Sequence, residues 1–184
     1  DRLGGSALAQ SCNQLGDECP DVEDPAQLKA AFNAMQQLIA EGLILSLHDR
    51  SDGGLLTAVS EMCMASRCGF SVTCRRTGSQ AGFLFGEELG LVLELLPEKL
   101  ERVQEVLASF GVPIVVIGET KADRQCTVLP AKHGWSMLNT TIEEIRTWWE
   151  STSAALDELQ VPPLLAQQEY ASYGQQLPQG TSAP

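Results

Sequence analysis

The stretch His48-Asp49-Arg50-Ser51-Asp52-Gly53-Gly54-Leu55 constrains this chain more than any other. Before it runs Leu43-Ile44-Leu45-Ser46-Leu47, an apolar segment bounded by Gly42 and by charge, which reads as a buried strand. After it come Leu55, Val59 and Met62 on one face of a helix. The polar cluster is therefore a strand-to-helix corner, and its helix start leaves backbone N–H groups available to a ligand. Asp49 and Asp52, three residues apart, can offer oxygen to a hard cation such as Mg²⁺. Ser51 can hydrogen-bond a phosphate or a sugar hydroxyl, and Gly53 and Gly54 allow close approach to an anion. A purely architectural reading serves as well: Ser51 or Asp52 caps the helix, the glycines form a tight turn, and Asp49 pairs with Arg50 or a lysine. Residue types alone leave both readings open. No Gly-Lys-Ser/Thr follows, so the corner is not a phosphate-binding Walker loop, and it is no dinucleotide fingerprint.

The rest of the chain supplies the layers such a corner needs. Asp24 as N-cap, Pro25 at the first helical position and Gln27 begin a helix. Leu28, Ala31, Phe32, Met35, Leu38 and Ile39 give it an apolar stripe, and Gly42 ends it. Phe70, Val72 and Cys74 alternate as a strand, as do Leu89, Leu91, Leu93 and Leu95 beyond a glycine-rich loop. Pro97 opens a helix with Leu100, Val103 and Leu107. Strands are expected at Val112 to Ile117, closed by Gly118-Glu119, and at Gln125 to Leu129. Thr140 with Glu143, or Thr141 with Glu144, offers a capping box to a last helix carrying Ile142, Ile145, Trp149, Leu156 and Leu159. The expected fold is α/β or α+β, a mixed β-sheet flanked by helices. Beyond Gln160 only Glu169 is charged, and Gln, Pro, Ser and Gly dominate; this reads as a linker, or as a segment ordered only against something else.

Twelve Lys and Arg stand against 24 Asp and Glu, a net charge of −12. That balance repels nucleic acid and anionic membrane, yet admits a nucleoside triphosphate once divalent cations screen its phosphates. Asp17, Glu18, Asp21, Glu23 and Asp24 concentrate part of it in a solvated loop. No apolar stretch reaches the roughly 18 residues of a spanning helix. The opening Asp1-Arg2 has no signal-peptide pattern, and an excised fragment is expected. Cys12, Cys19, Cys63, Cys68, Cys74 and Cys126 contain no C-x-x-C pair and have only His48 and His133 to supplement them. Reduced thiols in a cytoplasmic protein are expected, not zinc or disulfides.

The corner resembles the H-D-x-S-D-G-G-L signature of the C-terminal domain in the aminoimidazole ribonucleotide synthetase superfamily. Leu3-Gly4-Gly5-Ser6-Ala7-Leu8-Ala9-Gln10, Leu84-Phe85-Gly86-Glu87-Glu88-Leu89-Gly90 and Gly118-Glu119 agree with it. The match is nearest the formylglycinamide ribonucleotide amidotransferase family. The tail from Trp148-Trp149 through Thr152-Ser153 to Glu169 resembles that family's segment leading to a glutaminase domain. The resemblance implies an aminoimidazole ribonucleotide synthetase-like C-terminal domain at residues 1–145, from the second of two copies, then a helical segment and linker at 146–184. It implies partners in the same chain: preceding N-terminal synthetase domains and a downstream glutaminase. By that resemblance Asp49 binds Mg²⁺ and Ser51 contacts ATP, or ADP in a structural nucleotide site. The implied reaction turns formylglycinamide ribonucleotide, glutamine and ATP into the amidine, with this part inactive alone and no catalytic residue in it. Gly86, where asparagine is common, and Val161-Pro162-Pro163 depart from the pattern. Aminoimidazole ribonucleotide synthetase, selenophosphate synthetase and a ligand-free docking domain are the alternatives.

Other candidates have architectural readings. His48 is expected to be hydrogen-bonded and structural, Glu87 and Glu88 to be solvated strand-end charges, and Trp148-Trp149 to pack. No cysteine sits in a nucleophile-elbow context with a histidine, so glutaminase chemistry is not expected here.

Overall fold

The structure is a computed structural model that describes residues 1–74, 79–130 and 136–175. His133, part of the glycine-rich loop after Cys74, and the end of the tail at 176–184 lie outside the described residues.

Seven helices and six strands are described: α1 (Ala7–Ser11), α2 (Pro25–Ala40), β1 (Ser46–Asp49), α3 (Gly54–Ser66), β2 (Gly69–Thr73), α4 (Gln80–Phe85), β3 (Leu91–Glu94), α5 (Leu100–Ser109), β4 (Gly118–Lys121), β5 (Gln125–Leu129), β6 (Leu138–Thr141), α6 (Ile142–Asp157) and α7 (Pro163–Tyr173). A short 3₁₀ turn, Pro97–Lys99, leads into α5. The strands form a four-stranded sheet in the order β4-β2-β5-β6 and a two-stranded ribbon of β1 and β3. β2 pairs antiparallel with β4 and parallel with β5, so the sheet is mixed, as the element order implies.

Two apolar cores result. In the larger, Leu55, Val59 and Cys63 of α3 meet Phe70, Val72 and Cys74, then Cys126, Val128, Ile142 and Ile145. In the smaller, Ala34, Met35 and Leu38 of α2 meet Val103, Val106 and Leu107 of α5. The ribbon lies between them. Val92 faces the larger core, while Leu93 and Leu95 pack on the smaller. The expected stripe of odd-numbered leucines is therefore not one buried face: Leu89 and Leu91 are exposed.

The caps of α2 and α6 form where the sequence places them. Asp24 accepts from the N–H groups of Ala26 and Gln27, and Thr141 with Glu144 closes a full capping box on α6. Three expectations change. The strand foreseen at Leu43–Leu47 starts at Ser46 and runs through Asp49, because Leu43 is used as a plug in the smaller core. The run Val112–Ile117 forms no strand: Val112 N–H donates back to Leu107 O of α5 at 2.9 Å, and at the other end Ile117 O accepts the N–H of Thr73 at 2.8 Å. Its side chains serve both cores, Val112 and Ile114 one and Ile117 the other, and pairing starts only at Gly118. The tail is not all linker: α7 folds back on α6, with Ala166 buried, Tyr170 donating to Thr147 O at 3.0 Å and the Arg146 guanidinium 5.0 Å from the Tyr173 ring centre. Helix α6 runs without a break through residues 145 and 146.

Candidate functional site at the strand-to-helix corner

β1 ends at Asp49, and α3 begins at Gly54. Strand alternation turns His48 toward α3 and Asp49 to the opposite face, where its side chain is 72% exposed. Ser51 and Asp52 are exposed as well. Neither caps α3, whose N-cap is Gly53 in the left-handed conformation, with no side-chain cap. Gly54 also has a positive φ, +73°, and a Cβ there would lie 2.7 Å from the Phe85 carbonyl carbon. Its first duty is therefore the close passage of α3 past the end of α4, not approach to a ligand.

The helix start is not left open. Gly54 N–H donates to Ser51 O at 2.9 Å, and Gly53 N–H donates to Glu87 Oε1 at 2.8 Å. The same oxygen accepts Ala7 N–H at the start of α1, also at 2.8 Å. Glu87 thus places a carboxylate where a helix start favours an anion. Arg50 reaches α4 and the start of the chain. Its Nη2 donates to the carbonyls of Gly82 and Phe83 in α4, at 3.1 and 3.2 Å, and its Nη1 lies 3.7 Å from Asp1. Glu88 is clamped by Arg2 through Nε and Nη2, both at 2.8 Å, and by the Arg2 N–H at 2.9 Å. These bonds hold its carboxyl at about 2, below the usual 4.5. Glu87 and Glu88 are half-buried fasteners, not the solvated charges expected. Their partners lie 34 to 86 positions away, so no local pattern could announce them. The glycine at 86 has a cause too, since a Cβ there would come within 3.2 Å of Arg2 O.

His48 is hydrogen-bonded, as its architectural reading requires: Nδ1 is 2.7 Å from Asp49 O and Nε2 is 3.2 Å from Glu61 Oε2. Trp148 and Trp149, 58% and 53% exposed, are not packed as expected, although the Trp149 indole N–H donates to Glu61 Oε1 at 3.2 Å. All six cysteines are free. Burial pushes the Cys126 thiol up to about 11 and raises Cys63 and Cys74 as well, so these three are protonated core groups and poor nucleophiles.

Among the described residues no three His, Cys, Asp or Glu side chains converge as a metal site. Asp49 can offer a hard cation one carboxylate, and Ser51 can offer a phosphate one hydroxyl; the arrangement suits part of a site. No helix among the described residues is long and apolar enough to cross a membrane.

The family described as "AIR synthase related protein, C-terminal domain" matches residues 1–129. The chain belongs to this family. It is 41% identical over 160 residues to a probable phosphoribosylformylglycinamidine synthase, chloroplastic/mitochondrial, of Arabidopsis thaliana, covering 86% of this chain and 11% of that protein. The AIR synthase-related fold is also found in Thermotoga maritima PurL complexed with ATP, with a TM-score of 0.62 at 19% identity over 76% of this chain and 23% of that one. The same protein complexed with FGAR matches with a TM-score of 0.57 at 20% identity, over 64% of this chain and 20% of that one. This chain thus spans about a tenth of the plant relative's length.

Proposed function

We propose that this AIR synthase-related domain contributes part of a Mg²⁺–nucleotide site to a phosphoribosylformylglycinamidine synthase. That ligase uses ATP and glutamine to convert formylglycinamide ribonucleotide to formylglycinamidine ribonucleotide in de novo purine biosynthesis. Asp49 is the Mg²⁺ ligand and Ser51 the nucleotide contact. The observation that carries this is the division of labour at the corner. The side chains of His48 and Arg50 and the N–H of Gly53 are bonded within the domain, while the Asp49 and Ser51 side chains face outward. The 41% identity to the plant synthase over most of the chain gives that outward pair its context.

A bound Mg²⁺ would supply positive charge against the triphosphate. The chain's own part is to aim one carboxylate and one hydroxyl from a rigid strand end, with the remaining ligands coming from a preceding N-terminal synthetase domain. Residues 1–145 form the synthetase-like domain in this reading. Residues 146–184 lead toward a glutaminase domain that releases the ammonia. The setting is cytoplasmic. Neither ATP nor Mg²⁺ has enough ligands here, so the 184-residue chain alone should bind MgATP weakly or not at all. Calorimetry on the chain and on the full-length synthase tests this. Micromolar, Mg²⁺-dependent binding to the chain alone would overturn the divided site.

A second reading draws on Glu87. Because a protein carboxylate already occupies the start of α3, the domain could serve only to dock its neighbours, and Asp49 would then be replaceable without loss of nucleotide.

A further inference from the structure

Glu61 sits on α3, two turns past the corner, and holds two partners at once. Its Oε2 lies 3.2 Å from His48 Nε2, and its Oε1 accepts the Trp149 indole N–H at 3.2 Å. The other ring nitrogen of His48, Nδ1, is 2.7 Å from the Asp49 carbonyl oxygen and 3.5 Å from the Asp49 carboxylate. A continuous polar line therefore runs from α6 through α3 to β1 and ends at the residue assigned to the metal. Apolar packing does not account for it. Trp149 is 53% exposed, and with Glu61, Met64, Arg67 and Arg146 it borders an open cavity of about 450 Å³.

We propose that Glu61 is a positioning residue for Asp49, acting through His48 and itself held by Trp149. This rests on the reading of Asp49 as a Mg²⁺ ligand. Asp49 is the last residue of β1, where the chain leaves the ribbon for the corner turn, and its carboxylate lies 3.5 Å from Nδ1 of the neighbouring imidazole. That imidazole keeps its place at the Asp49 carbonyl only while its far nitrogen is held, because χ2 of histidine is a broad, soft torsion. Glu61 fixes the ring, and Trp149 fixes the Glu61 rotamer. The arrangement follows the general logic of metal sites, in which groups behind the ligands set their orientation. It also makes the corner sensitive to the seating of α6.

The test uses the full-length synthase stripped of nucleotide. Mg²⁺ is titrated at fixed ATP, bound nucleotide is read by equilibrium dialysis, and melting temperature is recorded on the same preparations. Substitutions behind metal ligands typically weaken metal affinity about 10- to 100-fold. Glu61→Gln and Glu61→Ala should raise the Mg²⁺ concentration for half-maximal retention about tenfold, near the lower end of that range. Trp149→Phe should move it in the same direction and less, and Glu61→Asp should recover part of the loss. Melting temperatures without ligand should stay close to wild type for Glu61→Gln, which preserves size and one hydrogen bond. Asp49→Asn serves as the reference. If it shifts the Mg²⁺ requirement while both Glu61 variants titrate like wild type, the positioning role is overturned and the metal assignment stands. If the Glu61 variants lower only the melting temperature, Glu61 merely fastens α3 to α6, and the proposal is overturned. If Asp49→Asn itself titrates like wild type, the metal assignment fails and takes this proposal with it.

Discussion

The carboxylate of Glu87 accepts the backbone N–H of Gly53 at 2.8 Å, binding the segment after α4 to the start of α3. The same oxygen holds Ala7 at the start of α1, so one side chain fastens two helix starts to each other. The anion favoured at these N-termini comes from within the domain. Glu87→Gln keeps an acceptor oxygen and loses the charge. It should lower unfolding stability by about 1 kcal/mol. Glu87→Ala leaves two backbone donors without their acceptor and should cost roughly 1–3 kcal/mol. Urea midpoints at unchanged m-value measure both; an alanine variant equal to wild type would mean that solvent serves these donors as well.

Gly54 and Gly42 separate backbone strain from crowding. Both have positive φ, +73° and +62°, but a Cβ at Gly42 meets nothing within 4 Å, while one at Gly54 meets the Phe85–Gly86 backbone at 2.7 to 2.9 Å. Gly42→Ala should cost about 1–2 kcal/mol, the usual penalty for a left-handed alanine. Gly54→Ala adds an overpacking cost of roughly 1–3 kcal/mol. Equal losses in a denaturation series would contradict the tight passage of α3 against α4.

The Arg2–Glu88 clamp gives stability a defined pH dependence. The folded carboxyl lies at about 2 and the unfolded one near 4.5, so between these values the unfolded chain takes up the proton first. The clamp's contribution is complete above about 4.5 and is lost as pH falls toward 2. Other carboxylates titrate in the same window, so the quantity to read is the difference between wild type and Glu88→Gln. Urea midpoints from pH 5 down to 2 should converge for the two proteins. Parallel curves would mean that Arg2 does not hold Glu88 in solution.

Local signals carried much of this architecture. Asp24 and the Thr141–Glu144 pair cap helices through residues two or three positions away, and both ends form where the sequence marks them. The alternation of Phe70, Val72 and Cys74 likewise describes a strand with one buried face. β3 misleads because it lies between two cores, so Val92 and Leu93 are both used and period two is blurred. α7 hides in a polar composition because a small residue, Ala166, and polar groups of Gln167, Tyr170 and Tyr173 anchor it to α6 and its C-cap. At the corner, the motif marks the turn and its outward carboxylate. It is silent on Glu87 and on Glu61, whose bonds to the corner cross 34 and 13 positions.

The proposed binding of Mg²⁺ by Asp49 against nucleotide is tested most directly by Asp49→Asn in the full-length protein. The substitution keeps the shape and removes the charge a cation needs, and should weaken nucleotide binding by about 2–4 kcal/mol. Ser51→Ala, which deletes one hydrogen bond, should cost about 1 kcal/mol. Co-purifying nucleotide, melting temperature and steady-state rate are read on one Asp49→Asn preparation. In a structural nucleotide site, retained nucleotide and melting temperature fall first and the rate follows; in a catalytic site, turnover is lost with the fold intact. Either pattern places Asp49 at the nucleotide. Retained nucleotide, melting temperature and rate all equal to wild type would contradict the account and leave Asp49 as the end of a strand and nothing more.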